Sequence, residues 1–345
     1  MIVDDSSVAR AVLQRMLANH PEFEVVALAA DAGEALDTLR THKIDIVLLD
    51  VEMPGASGID ALPAILEKGD GAQVLIVSSN AEDGAEAAVK ALALGAADTL
   101  PKPGTGYFAG RFSQVLAERL RKIGRASREQ KESVELEIEE PQFSLRPMPT
   151  ERPTCLALGA STGGLHALNE FLGSLPVTVS APILITQHLP PVFMPFFARQ
   201  IEAASGRPAR VARNGSRLKP GEVLVAPGDA HMGLRRNGNH AAVELVDTPA
   251  SSGCMPSVDV MLAAMGDVYG KNGLGIIFSG MGRDGLVGSH ALVGRGGGVL
   301  VQDQQSCAVW GMPKAVADAG LASAVLAPHA LARCVGGISR AMPWK

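Results

Sequence analysis

With 345 residues, 47% of them apolar, the chain has room for two domains of ordinary size that each bury a core. Its net charge of −5 leaves no basic footprint for nucleic acid, and no apolar run approaches the ~20 residues of a membrane span, so a soluble chain is expected. Cys155, Cys254, Cys307 and Cys334 are widely spaced with no CxxC pair and read as reduced core thiols of a cytoplasmic protein, a catalytic Cys307 being the lesser reading.

The segment Met1-Ile2-Val3-Asp4-Asp5 has no positively charged stretch leading into an apolar one, so no export signal is expected. Its first strand, Met1 to Val3, is shorter than the usual ~5 residues, which suggests a start further upstream. Apolar runs at Val25 to Ala29, Ile44 to Leu49, Val74 to Val77 and Ala97 to Leu100 then predict strands. Between them Val8 to Leu17, Ala35 to Leu39, Ile59 to Leu66 and Ala85 to Leu94 read as helices, and Tyr107 to Ile123 as a closing helix. Such a repeat predicts a doubly wound α/β domain with a parallel sheet over residues 1–124.

Polar residues fall where those strands end. Asp4 and Asp5 follow the first, Asp50 follows Ile46-Val47-Leu48-Leu49, Ser78 follows Val77, and Lys102 precedes Pro103. Singly, each is an ordinary turn former or helix cap. Together they put three carboxylates on one sheet edge, where a hard cation such as Mg²⁺ would neutralise them and the lysine and hydroxyl would meet a phosphoryl group.

On these residues, 1 to 123 resemble a response-regulator receiver domain of flavodoxin-like strand order. The resemblance implies that Asp50, in Leu49-Asp50-Val51-Glu52-Met53-Pro54-Gly55, accepts phosphate from a histidine kinase. It implies that Asp4, Asp5, Asp50 and the backbone carbonyl of Glu52 hold Mg²⁺, and that Ser78 and Lys102 sense the phosphoryl group. One departure is Thr99, where many receivers carry an aromatic switch residue.

From Arg125 to Pro153 charge and proline dominate, with Arg128-Glu129-Gln130-Lys131-Glu132, a run from Glu135 to Glu140, and Pro141, Pro147, Pro149 and Pro153. Alternation at Val134, Leu136 and Ile138 hints at a short extended piece. The stretch reads as a semi-extended linker, a plain tether or a partner-docking segment.

A second α/β alternation occupies 154–342. Strands are predicted at 154–160, 183–188, Val223 to Ala226, 274–279 and 298–302, with a hairpin strand at Ala241 to Val246. Helices are expected at 164–174, 193–204, 257–268, 285–294 and 312–319. The first strand ends in Gly159-Ala160-Ser161-Thr162-Gly163-Gly164, a tight turn into a helix, where free N–H groups favour developing negative charge.

Three readings compete for this turn. As a phosphate loop it lacks the lysine of GxxxxGK[ST], and as a dinucleotide fingerprint it has Ser for the second Gly. As a metal hydrolase it lacks a two-His spacing among His166, His188, His231, His240 and His290. As an acyl-transfer site it offers Ser161, His188 and Asp284, each just past an apolar strand, in the roles of nucleophile, base and orienting carboxylate.

The segments Gly159 to Gly164, Thr186-Gln187-His188-Leu189-Pro190-Pro191, Ala226-Pro227-Gly228-Asp229-Ala230-His231-Met232, Pro256-Ser257-Val258-Asp259 and Ser279-Gly280-Met281-Gly282-Arg283-Asp284-Gly285 resemble the chemotaxis protein-glutamate methylesterase catalytic domain. Arg283 stands where Asn is common. The resemblance implies a triad of Ser161, His188 and Asp284 with backbone N–H groups of Thr162 and Met281 as oxyanion donors. It implies hydrolysis of glutamate methyl esters, and deamidation of glutamines, on the cytoplasmic domains of chemoreceptors, without a cofactor for the esterase and as a monomer. A receiver whose output domain only docks receptors is the alternative. The joint is long enough for the receiver to lie over the esterase edge, so inhibition relieved by phosphorylation is expected.

Overall fold

A computed structural model describes residues 1–53, 57–78, 82–102, 112–124, 143–238 and 240–340. They divide into two compact units, Met1–Glu137 and Ile138–Lys345. The extended piece expected at Val134 to Ile138, the start of the helix expected from Tyr107, and Pro54, Gly55 and Pro103 lie outside the described residues.

In the first unit the elements are β1 (Ile2–Val3), α1 (Ser7–Ala18), β2 (Leu28–Ala29), α2 (Ala32–Thr41), β3 (Ile46–Leu49), α3 (Gly58–Lys68), β4 (Gln73–Ser78), α4 (Glu82–Ala93), β5 (Asp98–Pro101) and α5 (112–124). The sheet is parallel throughout, in the order β2-β1-β3-β4-β5. Alternate strand residues point to opposite faces. Ile2, Leu48, Leu75 and Val77 therefore pack on one side with Leu13 and Leu17 of α1 and Leu116, Leu120 and Ile123 of α5. Val3, Val47, Leu49 and Ile76, from the other register, are buried as well. A sheet covered on both faces leaves only its edges for chemistry, and β1 and β3, the neighbours at which strand order reverses, carry Asp4, Asp5 and Asp50 at their carboxyl ends.

The second unit runs β6 (Cys155–Ala160), α6 (Gly164–Ser174), β7 (Ile183–Gln187), α7 (Met194–Ser205), β8 (Ala209–Val211), β9 (Val223–Val225), β10 (His231–Asn237), β11 (His240–Val246), α8 (Val258–Tyr269), β12 (Gly273–Ile277), α9 (Leu286–Gly294), β13 (Gly298–Gln302), α10 (Met312–Asp318), β14 (Ala324–Leu326) and α11 (Pro328–Arg340). Seven strands form a parallel sheet in the order β14-β13-β12-β6-β7-β9-β8, and β10 with β11 make a separate antiparallel hairpin. Both units are thus doubly wound α/β domains, as expected. Every residue of β6, β7, β12 and β13 is buried, which is why these strands read as continuous apolar runs.

One face of this sheet packs against α8, where Val258, Met261, Leu262 and Met265 meet Ala157, Ile277 and Val299. On the other, Phe171 of α6 meets Phe278 edge to face, ring centroids 5.2 Å apart. Residues 143–153, expected as the end of a free linker, lie against this unit. The Arg146 amide donates to the Ala322 carbonyl at 2.9 Å, Ser323 Oγ to the Pro147 carbonyl at 3.1 Å, and Lys271 pairs with Glu151 at 2.8 Å.

Candidate active site

In the sheet of the second unit, β6 lies between β12 and β7. Ala160 is paired with Gln187 and Gly159 with Ile277, so the parallel register carried past the strand ends sets Ser161 beside His188 on one side and Ser279 on the other. Two backbone bonds extend the ladder that far: His188 N–H to Ala160 C=O at 3.2 Å and Ser161 N–H to Ser279 C=O at 3.0 Å. The turn after Ser161 needs a left-handed residue, supplied by Gly163 at φ +71°, where a side chain would also collide with Ala308. Gln187 Nε2 donates to the Ser161 carbonyl and Ser279 Oγ to the Thr162 carbonyl, each at 2.8 Å. Ser279 is fixed in turn by the Gln302 side chain, which accepts from its N–H at 2.7 Å. A rigid, partly exposed turn thus presents the Ser161 hydroxyl at the sheet edge.

His188 Nε2 lies 2.8 Å from Asp284 Oδ2. In the neutral ring, with the Nε2 proton donated to the carboxylate, Nδ1 keeps the lone pair. Asp284 is buried among donors: Ser257 Oγ at 2.7 Å and the Asp259 N–H at 3.2 Å reach Oδ1, and the Val258 N–H at 2.7 Å reaches Oδ2. Ser257 precedes α8 but makes no cap bond to that helix with its own hydroxyl, so the Asp284 carboxylate caps α8 from outside. Asp259 returns the favour to α9, its Oδ1 accepting from Gly285 N–H at 2.8 Å and Gly288 N–H at 2.7 Å. His231, fully buried, accepts the Ser257 N–H at Nδ1 (2.9 Å) and bonds the Thr248 carbonyl through Nε2 (3.0 Å), which fixes it as the neutral Nε2–H tautomer.

These contacts set the charges. Burial is the largest single influence on His188 and opposes its charge, but the Asp284 and Cys254 contacts together outweigh it and raise the imidazole to about 9. Burial also opposes charge on Asp284, and the His188 contact with the Val258 amide and Ser257 hydroxyl overcomes it, holding the carboxyl below the usual carboxylate range. Asp259 goes the other way: burial and the Asp284 charge prevail over its amide bonds and raise it to about 6.

The structure therefore brings His188 and Asp284 into contact and sets Ser161 next to His188 along the ladder. No hydrogen bond joins Ser161 Oγ to His188 among the described residues; such bonds often close only around a substrate. Thr162 follows Ser161 in the turn after β6, Met281 lies in the loop after β12, the strand beside β6, and no acceptor for the Met281 amide occurs among the described residues. Arg283 is exposed. Gln187, Ser257, Asp259, Ser279 and Gln302 hold the site but had no role in the sequence reading. The signal for the first, fourth and last was available, a polar residue ending a buried apolar strand. Cys155 and Cys307 are core thiols as read, Cys155 pushed up to about 12 by burial. Cys254 and Cys334 are only half-buried, and Cys254 belongs to the site: its Sγ, a His188 ring nitrogen and an Asp284 oxygen all lie within 4.8 Å of one another.

At the edge of the first unit, Lys102 Nζ bridges Asp50 Oδ2 at 2.7 Å and Asp4 Oδ2 at 2.9 Å. Carboxylate oxygens of Asp4, Asp5 and Asp50 lie within 4.8 Å of one another, Asp4 and Asp50 buried and Asp5 exposed. Burial raises the Asp50 pKa against the Lys102 bond and the Glu52 N–H, which donates at 3.2 Å. Ser78 Oγ is buried without a hydrogen-bond partner among the described residues, and Ser78 accepts the Lys102 N–H at its carbonyl, 2.7 Å away. An all-oxygen set with a partnerless hydroxyl beside it fits a hard divalent cation and an anionic oxygen group. Thr99 is buried, its carbonyl accepting from Arg119 at 3.1 Å.

Comparison with known proteins matches residues 156–335 to the CheB methylesterase family and residues 1–106 to the response regulator receiver domain. A protein-glutamate methylesterase/protein-glutamine glutaminase of Paramagnetospirillum magneticum is 38% identical, over 94% of this chain and 92% of its own. One of Caulobacter vibrioides is 39% identical over 94% of each. The crystal structure of the Thermotoga maritima CheB methylesterase catalytic domain superposes with a TM-score of 0.52 at 32% identity, covering 53% of this chain and 97% of that one.

Proposed function

The chain belongs to the CheB methylesterase family in the form that carries a response-regulator receiver domain, and from that premise we propose how its residues divide the work. The protein is a phosphorylation-regulated hydrolase of chemotaxis signalling that cleaves glutamate methyl esters and deamidates glutamines. Its substrates are the cytoplasmic domains of chemoreceptors, and its phosphodonor is the histidine kinase of the same system. It acts in the cytoplasm as a monomer.

In the esterase half-reaction His188 Nδ1 takes the Ser161 proton, and Oγ attacks the γ-carbonyl of the ester. The oxyanion meets the amides of Thr162 and Met281. His188 returns the proton to the methoxide, methanol leaves, and water activated by the same imidazole frees the glutamate carboxylate. With glutamine the leaving group is ammonia. Asp284 holds the imidazole in the Nε2–H tautomer and offsets the charge it gains. No cofactor is needed for this chemistry. In the receiver, Asp4, Asp5, Asp50 and the Glu52 backbone carbonyl would hold Mg²⁺, which supplies charge neutralisation for phosphoryl transfer to Asp50, while Lys102 and Ser78 bind the transferred group.

The observation that supports this reading best is the His188–Asp284 pair at 2.8 Å, its carboxylate buried and its imidazole half-buried at the sheet edge beside the Ser161 turn. Its test is methanol release from methylated receptor membranes. Ser161→Ala should lower the rate by about 10⁴-fold or more with the fold retained; a folded variant as fast as the parent would overturn the assignment.

A further inference from the structure

Nothing in the ester chemistry uses a thiol, yet Cys254 stands against the base and its carboxylate. The cysteine lies in the turn before α8, half-buried, its Sγ making a weak bond to the Ser252 carbonyl at 3.9 Å. It shares a 4.8 Å cluster with His188 and Asp284. The three come from separate segments: the end of β7, the turn before α8 and the loop after β12. An imidazole nitrogen, a thiolate and a carboxylate oxygen are the donors Zn²⁺ takes, and three protein ligands leave a fourth position for water. The soft sulfur selects against Mg²⁺ and Ca²⁺. The receiver cluster of Asp4, Asp5 and Asp50 is oxygen only, so the two units sort cations by hardness.

We propose that Cys254, His188 and Asp284 form an inhibitory site for a thiophilic divalent cation of the Zn²⁺ class. This rests on the reading of His188 as the esterase base. Binding deprotonates the thiol and releases that proton to solvent. Whichever ring nitrogen takes the cation is one the reaction needs, Nε2 for Asp284 or Nδ1 for the Ser161 proton. Turnover therefore stops while the site is filled and returns when a chelator empties it.

The test titrates buffered Zn²⁺ against methanol release by the full-length protein at constant Mg²⁺, in the parent and in Cys254→Ser. The parent should be inhibited reversibly. Each protein is read against its own zinc-free rate, and Cys254→Ser should need at least about 10-fold more zinc for half inhibition, since losing even an outer partner of a metal ligand costs that much affinity. A second measurement does not depend on turnover: Co²⁺ should give a thiolate-to-cobalt charge-transfer band in the parent and in inactive Ser161→Ala, and none in Cys254→Ser. Equal zinc sensitivity of parent and Cys254→Ser, or a cobalt band indifferent to Cys254, would overturn the proposal. The zinc-free rate separately tests the esterase reading.

Discussion

A base that must accept a proton is here held to the one it has. The Asp284 and Cys254 contacts together raise His188 to about 9, and only neutral imidazole can take the Ser161 proton. At pH 7 a group of that pKa is about 1% neutral, so turnover should climb with pH from 7 towards 9. Asp284→Asn removes the carboxylate and frees the tautomer: the midpoint should fall towards ~6.5 and the maximal rate by roughly 10⁴-fold. Methanol release measured across pH on both proteins decides it, and a parent profile flat from 7 to 9 would count against His188 as the base. The residues of this pair were legible in the sequence because each follows an apolar run that could only be a buried strand. Ser257 and Asp259 were not, since a Ser or Asp at a helix start ordinarily caps its own helix, and the structure spends the first on Asp284 and the second on α9. Cys254 misled for the opposite reason: composition marks reduced thiols as core, and only the tertiary turn brings this one to His188.

Two helices exchange carboxylates at the site. Asp284 precedes α9 and caps α8, while Asp259 lies in the first turn of α8 and accepts two amides at the start of α9. Breaking either arm shifts the other, since Gly285, which Asp259 holds, is the residue after Asp284. Asp259→Ala should cost about 1–2 kcal/mol of stability in urea and lower kcat, because a lost cap costs that much and its release lets Asp284 move. Asp259→Asn keeps an accepting Oδ1, and with the parent carboxyl raised to about 6 it should stay within about 0.5 kcal/mol of the parent. Equal loss in both variants would show that charge matters more than the bonds to Gly285 and Gly288. The main strands and helices of both sheets were readable from periodicity, but β8, β10, β14 and α11 were not. β8 and β14 have three residues each, too few for a pattern, and become strands because a neighbour offers its ladder. The hairpin strand expected at Ala241 to Val246 finds its partner in β10, where Arg235 and Arg236 lie opposite Ala242 and Ala241.

Asp50 and Ser161 belong to units with separate cores, so a signal between them is a coupling free energy and must follow linkage. Phosphorylation replaces the Asp50 carboxylate by an acyl phosphate of about −1.5 to −2 charge where Lys102 already bridges Asp4 and Asp50, and it can change esterase turnover only by the difference it makes between two states of the whole chain. Couplings of this kind typically amount to about 5- to 150-fold. The fragment that isolates the esterase should start at residue 143, because a cut at 154 would remove the bonds from Arg146, Pro147 and Glu151 to Ala322, Ser323 and Lys271. Its core is its own, and the Thermotoga maritima relative was crystallised as the catalytic domain alone. A small-molecule phosphodonor with Mg²⁺ should therefore stimulate methanol release by the full chain within that range, leave Asp50→Asn at its basal rate, and do nothing to residues 143–345. The fragment should also outrun the unphosphorylated full chain if the receiver restrains the esterase. A fragment no faster than the full chain, with stimulation still present in the latter, would mean that phosphorylation adds a favourable interaction instead of lifting a restraint. Stimulation that survives in Asp50→Asn would remove Asp50 as the switch altogether.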